Sequence, residues 1–272
     1  MKTLRYLSLG AGVQSSTLAL MCAHGEIEPP EVAIFADTHW EPAAVYRWLD
    51  WLEPLLPFPV HRVSGGNLRK EVVSMNKGRA NFLRIPAFTS DENGKAGILR
   101  RQCTREYKIA PVQSEVRRLL GVEPGQRMPR DRRAVAMIGI SADEPERAKP
   151  AREKWVTKAY PLLDLRMQRG HCIKWMKDHG YPEPPRSACI GCPFHSNAEW
   201  RNLQRTDPAA FADAVVVDRL IRDSTNAGVE RPAFLHRSLK PLDTIDFSDM
   251  RDAGQMDLWG NWGNECEGMC GV

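Results

Sequence analysis

The first 63 residues alternate short apolar runs with helical patterns, and no other feature constrains the fold as strongly. Four apolar runs predict strands, at residues 6–9, 32–35, 59–63 and 134–140. Residues 15–24, closed by Gly25, predict one helix, and Pro42 suits the first turn of the next. Strands that alternate with helices indicate an α/β fold, a mostly parallel twisted sheet with helices on both faces.

We expect the chain to divide near residue 160. Residues 1–160 would form the α/β domain, and residues 161–272 would form a smaller C-terminal subdomain that carries five of the seven cysteines. The segment between Ser64 and Arg101 predicts a long excursion from the sheet, a kind of segment that is often functional. No flexible linker separates the two parts.

The composition narrows the class of protein. The chain has 38 Lys and Arg against 34 Asp and Glu, a net charge of +4. It contains no run of about 18 uncharged apolar residues, so we expect no membrane span, and the absence of a signal-peptide pattern predicts a cytoplasmic protein. An odd number of cysteines favours metal or redox chemistry over disulfides. Cys22 and Cys172 lie in apolar helical patterns and are expected to be core residues.

Positive charge is concentrated between Arg100 and Arg133, where ten Lys and Arg face four acidic residues and give a net charge of +6. Two interpretations are open. The segment can attract a polyanion such as a nucleic acid, or it can be a solvated helix and loop. Because Cys103 lies inside the segment, a bound polyanion would be brought close to that thiol.

A glycine-containing loop joins the first predicted strand to the first predicted helix. Small residues let backbone N–H groups approach a phosphate, and the N-terminus of the following helix adds partial positive charge. The loop residues that we expect to bind an anion are Ser8, Gly10, Ala11, Gly12, Gln14, Ser15 and Ser16. The alternative is a plain strand-to-helix turn with Ser15 as the N-cap.

Three motifs resemble the phosphoadenosine-phosphosulfate reductase branch of the adenine nucleotide alpha hydrolase superfamily. Residues 10–15 are similar to its pyrophosphate-binding loop, and residues 35–41, Phe-Ala-Asp-Thr-His-Trp-Glu, resemble its Phe-x-Asp-Thr-Gly-x-Glu signature. Residues 139–144 resemble its third motif, with Ser141 in place of the usual arginine. The three motifs occur in the family's order, and the resemblance covers roughly residues 5–195.

The resemblance implies that ATP or a related adenine nucleotide binds at the carboxyl edge of the sheet. Asp37 and Gly139 would then join the loop in the nucleotide site, with Asp37 near the ribose or phosphates and also a candidate catalytic residue. Mg²⁺ is a further expected cofactor, although Gln14 stands where the family has an aspartate and supplies no carboxylate. From the residues alone, a capping role for Asp37 is the alternative.

Cys189 and Cys192 form a C-x-x-C, a spacing that directs two thiolates to one metal ion or cluster. Cys103 precedes Cys189 by 86 residues. This arrangement resembles that of the iron–sulfur sulfonucleotide reductases, and it implies a 4Fe–4S cluster with these three cysteines as ligands. A zinc site that adds His195 and a thioredoxin-like redox pair are the alternatives.

Cys266 and Cys270, near the end of the sequence, are candidates for the fourth cluster ligand or for the nucleophile of a reductase. Two reactions follow from the resemblance. In the first, ATP adenylates an oxygen of a nucleic acid or other anionic substrate, and sulfur then displaces AMP. In the second, one of these two cysteines attacks the sulfur of a nucleotide phosphosulfate, and sulfite is released.

The replacement of the family's arginine by Ser141 favours the first reaction, because it removes a cation expected at the phosphosulfate. Either reaction needs a sulfur or electron donor, and a homodimer is an assembly compatible with the sequence. The non-enzymatic alternative is a zinc-bearing module that binds nucleic acid through the basic segment.

Overall fold

The computed structural model describes residues 1–74, 83–90, 95–222 and 231–248. Its strands are β1 (Lys2–Leu9), β2 (Val32–Ala36), β3 (Val60–Val63), β4 (Phe88–Ser90), β5 (Ala96–Ile98), β6 (Arg132–Ile138) and β7 (Val156–Ala159). Five of them form a parallel sheet in the order β3-β2-β1-β6-β7, and β4 and β5 form a separate antiparallel pair.

The helices are α1 (Val13–Ala23), α2 (Ala43–Leu52), α3 (Leu68–Ser74), α4 (Ala110–Leu119), α5 (Pro161–Asp164), α6 (Arg169–Asp178), α7 (Asn197–Thr206) and α8 (Pro208–Arg222). Short 3₁₀ turns lie at Glu53–Leu55, Pro145–Arg147 and Leu242–Thr244. A π-helical segment, Thr104–Ile109, leads directly into α4. Segments of this kind are uncommon and occur frequently at functional sites.

Successive residues of the central strand β1 bury their side chains on opposite faces of the sheet. Tyr6 belongs to a cluster with Val112 of α4, whereas Leu7 belongs to a cluster with Leu18 of α1 and Leu49 of α2. Helices therefore cover both faces, and the predicted α/β fold with a parallel sheet is confirmed.

The order of the strands reverses beside β1. Strands β2 and β3 follow on one side, and β6 and β7 lie on the other. Open parallel sheets bind ligands outside the carboxyl ends of the strands next to such a reversal. The glycine loop after β1 and Gly139 after β6 both lie at this edge.

A second core lies outside the sheet. It brings Leu68 of α3 and Ile85 together with Trp200 of α7 and Phe211 of α8. The excursion that follows β3 thus packs on the C-terminal helices, while α5 and α6 pack with α1. The division of the chain near residue 160 stays a prediction.

The buried positions expected for two cysteines are confirmed. Cys22 is 3% exposed and Cys172 is fully buried, each within an apolar cluster. In the described part of the chain, no helix combines the length and apolar character that crossing a bilayer requires.

Candidate functional site

The glycine loop follows β1 directly and leads into α1. Ala11 has a left-handed backbone with φ of 59°, a conformation that favours glycine, and its side chain is fully buried. Gly12 is the residue that precedes the first turn of α1, so Ser15 lies within the helix and is not its N-cap. The first-turn amides of α1 therefore point toward the carboxyl edge of the sheet, where an anion would be bound.

Two hydroxyl groups hold the loop in place. Ser15 Oγ accepts a hydrogen bond from the Gly10 amide at 3.2 Å, and Ser16 Oγ accepts one from Trp48 Nε1 at 2.9 Å. Both serines are fully buried. Because both hydroxyl groups are buried and bonded within the protein, the backbone amides of the loop are the better candidates for direct contact with a phosphate.

Gly139 lets strand β6 approach this loop closely. A Cβ atom at position 139 would lie 2.8 Å from the Ser15 nitrogen and 2.9 Å from its Cα. Both atoms belong to the backbone, so a side chain at this position would displace the first turn of α1. Gly139, a candidate nucleotide-binding residue, therefore contributes by leaving room for the backbone of the glycine loop.

Gln14 connects the loop to two other segments of the carboxyl edge. Its amide nitrogen donates to Ser141 Oγ at 3.3 Å and to Glu144 Oε1 at 3.4 Å. Its oxygen accepts from Arg169 Nη1 at 3.0 Å. Glu144 is buried and also pairs with Arg147. Although Gln14 has no carboxylate, the structure places the Glu144 carboxylate and two guanidinium groups beside the loop.

Asp37, at the end of β2, shapes a turn. Its Oδ1 accepts hydrogen bonds from the His39 amide at 2.7 Å and from the Tyr46 hydroxyl at 2.9 Å. His39 has a φ of 55°, so the bond from its amide stabilises a left-handed residue. Burial, followed by the Asp37 carboxylate, raises the pKa of the Tyr46 hydroxyl. A direct role for Asp37 toward a nucleotide stays a prediction.

Cys103, Cys189 and Cys192 line one small pocket beside the carboxyl edge of the sheet. They come from the residue before the π-helical segment and from a turn 86 residues later. The other residues that line this pocket are Trp40, Leu68, Ile85, Pro86, Arg101, Lys108, Gly191 and Pro193. The structure thus brings these three cysteines to one pocket, and their role as cluster ligands stays a prediction.

The turn that carries Cys189 and Cys192 is held tightly. The Ile190 amide donates to the Trp40 carbonyl at 2.8 Å, and the Cys192 amide donates to the Cys189 carbonyl at 3.0 Å. A Cβ atom at Gly191 would lie 2.7 Å from Cζ2 of Trp40, so the indole packs directly on this glycine. Trp40 Nε1 in turn donates to Asp213 at 2.7 Å.

His195 stabilises the same turn through a hydrogen bond to its backbone. Its Nε2 lies 3.1 Å from the Cys189 carbonyl oxygen, to which it donates a hydrogen bond. Burial, together with the nearby Arg186 charge, lowers the pKa of His195 to about 3. This neutral imidazole uses Nε2 to position the turn, which argues against Nε2 as a zinc ligand.

A buried polar network surrounds the sulfur of Cys189. The thiol donates to Glu41 Oε1 at 3.3 Å, and Thr38 Oγ1 lies at the same distance from the sulfur. Lys108 Nζ lies 3.6 Å from Glu41 Oε1, with both side chains buried. Burial and the Glu41 charge raise the pKa of the Cys189 thiol well above its usual range. Metal binding requires the thiolate, so a bound cation would have to oppose both effects.

Lys108 also connects the cysteine pocket to the cleft beside the glycine loop. It lines a second, narrow pocket between the carboxyl ends of β1 and β2, together with Ser8, Gly10 and Ala36. Ser187, from the segment that leads into the cysteine turn, lines the same pocket. One buried ammonium group thus borders both the glycine loop and the thiols.

The spacing of the three sulfur atoms bears on the kind of metal centre. Within the described ranges, one group of side chains brings three candidate metal-binding atoms within 4.8 Å of one another, and it contains none of these cysteines. Thiolates around a single tetrahedral zinc, with bonds of about 2.3 Å, would lie about 3.8 Å apart. At least one pair of these three sulfur atoms therefore lies farther apart than the ligands of a single zinc ion would, and the kind of metal centre stays a prediction.

The structure divides the basic segment between two places. Arg101 and Lys108 line the cysteine pocket, near the carboxyl edge of the sheet. Arg133 donates to backbone carbonyls at the start of β6, and Arg118 pairs with Glu115 at 2.7 Å. The second half of the segment therefore lies toward the opposite edge, where local partners satisfy these two guanidinium groups.

A cavity of about 370 Å³ lies beside the π-helical segment and the start of α4. It is lined by Arg105, Ile109, Ala110, Gln113, Arg152, Glu153 and Lys158. Three cationic side chains face one carboxylate there, so the cavity favours an anion. Its volume is that of a site for a small organic ligand or a nucleotide.

Two residues of the site, Lys108 and Arg169, are not singled out by any sequence pattern. Lys108 is one of ten cations in a basic segment, and its burial depends on the packing of the π-helical segment against β2. Arg169 lies 155 residues from Gln14 and meets it only because α6 packs on α1. Cys266 and Cys270 lie outside the described residues, so their roles stay predictions.

Comparison of the chain with protein-family models and with curated protein sequences finds no match.

Proposed function

We propose that this chain is an adenine-nucleotide-dependent iron–sulfur enzyme that transfers sulfur to an anionic substrate. One observation carries the proposal: three cysteines from distant segments line a pocket that shares Lys108 with the cleft beside the glycine loop. A nucleotide held by the loop would therefore react next to the thiols. The resemblance to the phosphoadenosine-phosphosulfate reductase branch supports the same assignment.

The donor set of the pocket fits an iron–sulfur cluster. The three thiols that line the pocket, those of Cys103, Cys189 and Cys192, would hold the cluster. When bound, a cluster with three cysteine ligands supplies an iron position at which sulfide can be held. Lys108 and Arg101 would balance the negative charge of the thiolates in this largely buried site.

The chain's own residues divide the remaining work. The amides of the glycine loop would bind the phosphates, and Arg147 and Arg169 lie near enough to neutralise charge there. A substrate oxygen would attack the α-phosphorus of ATP, with release of pyrophosphate. Sulfur would then displace AMP from the adenylated carbon. Lys108, at the border of both pockets, would stabilise the negative charge on the departing phosphate.

Metal analysis of anaerobically purified protein tests the proposal. We expect iron and acid-labile sulfide in equal amounts and an anaerobic sample that forms pyrophosphate and AMP when substrate and sulfide are supplied. Absence of iron, together with stoichiometric zinc that is lost in a Cys189→Ala variant, would overturn the cluster and leave the zinc-bearing binding module. Release of sulfite from a nucleotide phosphosulfate, without use of ATP, would instead identify a sulfonucleotide reductase.

The cationic cavity is the place at which we expect the anionic substrate to bind. Arg105 lies two residues after Cys103, so an occupant of the cavity would be close to the cysteine pocket. Reversing Arg105 and Arg152 to Glu should weaken the binding of single-stranded RNA or DNA at least tenfold at low salt. The slope of log affinity against log salt should also become shallower by about 0.7 for each phosphate that the variant no longer neutralises.

The matched control reverses Arg127 and Arg130, two exposed residues of the same basic segment toward the opposite edge of the sheet. It changes the net charge by the same amount, so a purely global field would weaken binding equally in both variants. An equal weakening in both would contradict the cavity as the substrate site. Binding that is undetectable even at low salt would leave a small anionic substrate in place of a nucleic acid.

A further inference from the structure

Helices α1 and α6 lie side by side and run in the same direction. At their N-terminal ends, Arg169 donates to Gln14 at 3.0 Å. At their C-terminal ends, the rings of His24 and His179 meet with their centroids 4.9 Å apart. His24 is the C-cap of α1 and His179 is the C-cap of α6. Two helix C-termini, each with partial negative charge, therefore converge on one pair of imidazoles.

Glu26 completes a set of metal-binding groups at this place. One ligand atom from each of His24, Glu26 and His179 lies within 4.8 Å of the other two, and no other trio in the described part of the chain meets this criterion. All three side chains are exposed to solvent, so an ion can reach them. The set is separate from the cysteine pocket, since none of its members lines that pocket.

The surrounding residues orient these groups as they do around bound metals. His179 Nδ1 donates to the Trp175 carbonyl at 2.8 Å, which leaves the lone pair on Nε2, 3.8 Å from Glu26 Oε1. Trp175 Nε1 lies 3.1 Å from each Glu26 oxygen, and His24 Nε2 lies 2.8 Å from the Tyr181 hydroxyl. Such outer contacts fix the tautomer and direction of ligands in metal sites.

We propose that His24, Glu26 and His179 bind a divalent transition metal of the zinc class. Two imidazoles and one carboxylate suit zinc, nickel or copper, whereas magnesium and calcium prefer oxygen ligands alone. Three protein ligands leave a coordination position for water. The ion would tie the C-terminal end of α1 to that of α6, and the opposite ends of the same helices carry the glycine loop and Arg169.

Zinc titration of the full chain tests the site. We expect the wild type to bind one more equivalent of Zn²⁺ than the His179→Gln and Glu26→Gln variants. The comparison depends on the difference between proteins, so zinc taken up by free thiols affects every sample alike. Trp175→Phe keeps an aromatic ring but removes the donor to Glu26, and it should weaken zinc binding by about tenfold.

The matched controls are His171→Gln, on the same helix α6, and Glu28→Gln, two residues after Glu26. Neither residue belongs to the trio, so both variants should keep the additional equivalent. Circular dichroism would verify that each variant is folded. Identical zinc stoichiometry and affinity in the wild type, His179→Gln and Glu26→Gln would overturn the proposal.

Discussion

Replacing Cys189 with alanine should leave the anaerobically purified protein colourless, without iron or acid-labile sulfide. The sulfur of Cys189 is embedded in a polar network, because it contacts both Thr38 and Glu41 beside buried Lys108. Loss of this ligand leaves two of the three thiols that line the pocket, so we expect the cluster to be lost. Iron, sulfide and the visible absorption spectrum are the measurements.

Cys22→Ala is the control for this prediction. Cys22 is buried in the apolar cluster beneath α1 and lies outside the cysteine pocket, so its replacement should leave iron and sulfide unchanged. Full iron content in Cys189→Ala would contradict the assignment of the ligands.

A second variant tests whether the geometry of the turn matters in addition to the thiols. In Gly191→Ala, the new methyl group would collide with the Trp40 indole, which is fixed by its bond to Asp213. We expect a loss of about 1–3 kcal/mol of stability and a strongly reduced iron content. Gly170→Ala is the matched control, since a Cβ atom at Gly170 meets no atom within 4 Å.

Much of the sheet could be predicted from the sequence, because strands buried on both faces need apolar residues at successive positions. The strand predicted at residues 32–35 is observed as Val32–Ala36, and the strand predicted at residues 59–63 is observed as Val60–Val63. Strand β1 begins at Lys2, four residues earlier than predicted, because its charged first half pairs with β6 from Lys2 opposite Arg132. An apolar pattern does not reveal such pairing.

The second core could not be predicted in the same way. Leu68 and Trp200 are 132 residues apart and share one cluster, so neither segment shows its partner in its own pattern. The π-helical segment, which buries Lys108 near Cys189, also depends on close packing with a distant residue, since a Cβ atom at Gly65 would lie 2.6 Å from the Glu106 carbonyl oxygen.

The candidate site residues likewise fall into two groups, those indicated by a local sequence pattern and those brought together only by the fold. The C-x-x-C of Cys189 and Cys192 predicts a metal site, and the resemblance to the iron–sulfur sulfonucleotide reductases adds Cys103 to it. By contrast, His24 and His179 are 155 residues apart, and only the parallel packing of α1 on α6 brings their rings together. A sequence shows ligand types and short spacings, whereas pairs across helices require the fold.

Replacing Gly139 with alanine should lower the affinity for ATP at least tenfold, a loss of about 1.4 kcal/mol or more. The new Cβ atom would lie 2.8 Å from the Ser15 nitrogen, so the first turn of α1 must move away from β6. Anion binding at a helix N-terminus depends on the direction of these amides, and the displacement would also disturb the bonds of Gln14 to Ser141 and Glu144.

Calorimetric titration with ATP measures this effect, and urea unfolding measures the accompanying loss of stability, which we expect to be about 1–3 kcal/mol. Gly170→Ala again serves as the control, because its methyl group lies in open space within α6 and alanine favours a helix over glycine. It should retain ATP affinity and gain slightly in stability. A folded Gly139→Ala protein with unchanged ATP affinity would show that the phosphates bind elsewhere. Such a result would count against the proposed function, because Lys108, the residue shared by the cysteine pocket and the cleft beside this loop, would no longer link the nucleotide to the thiols.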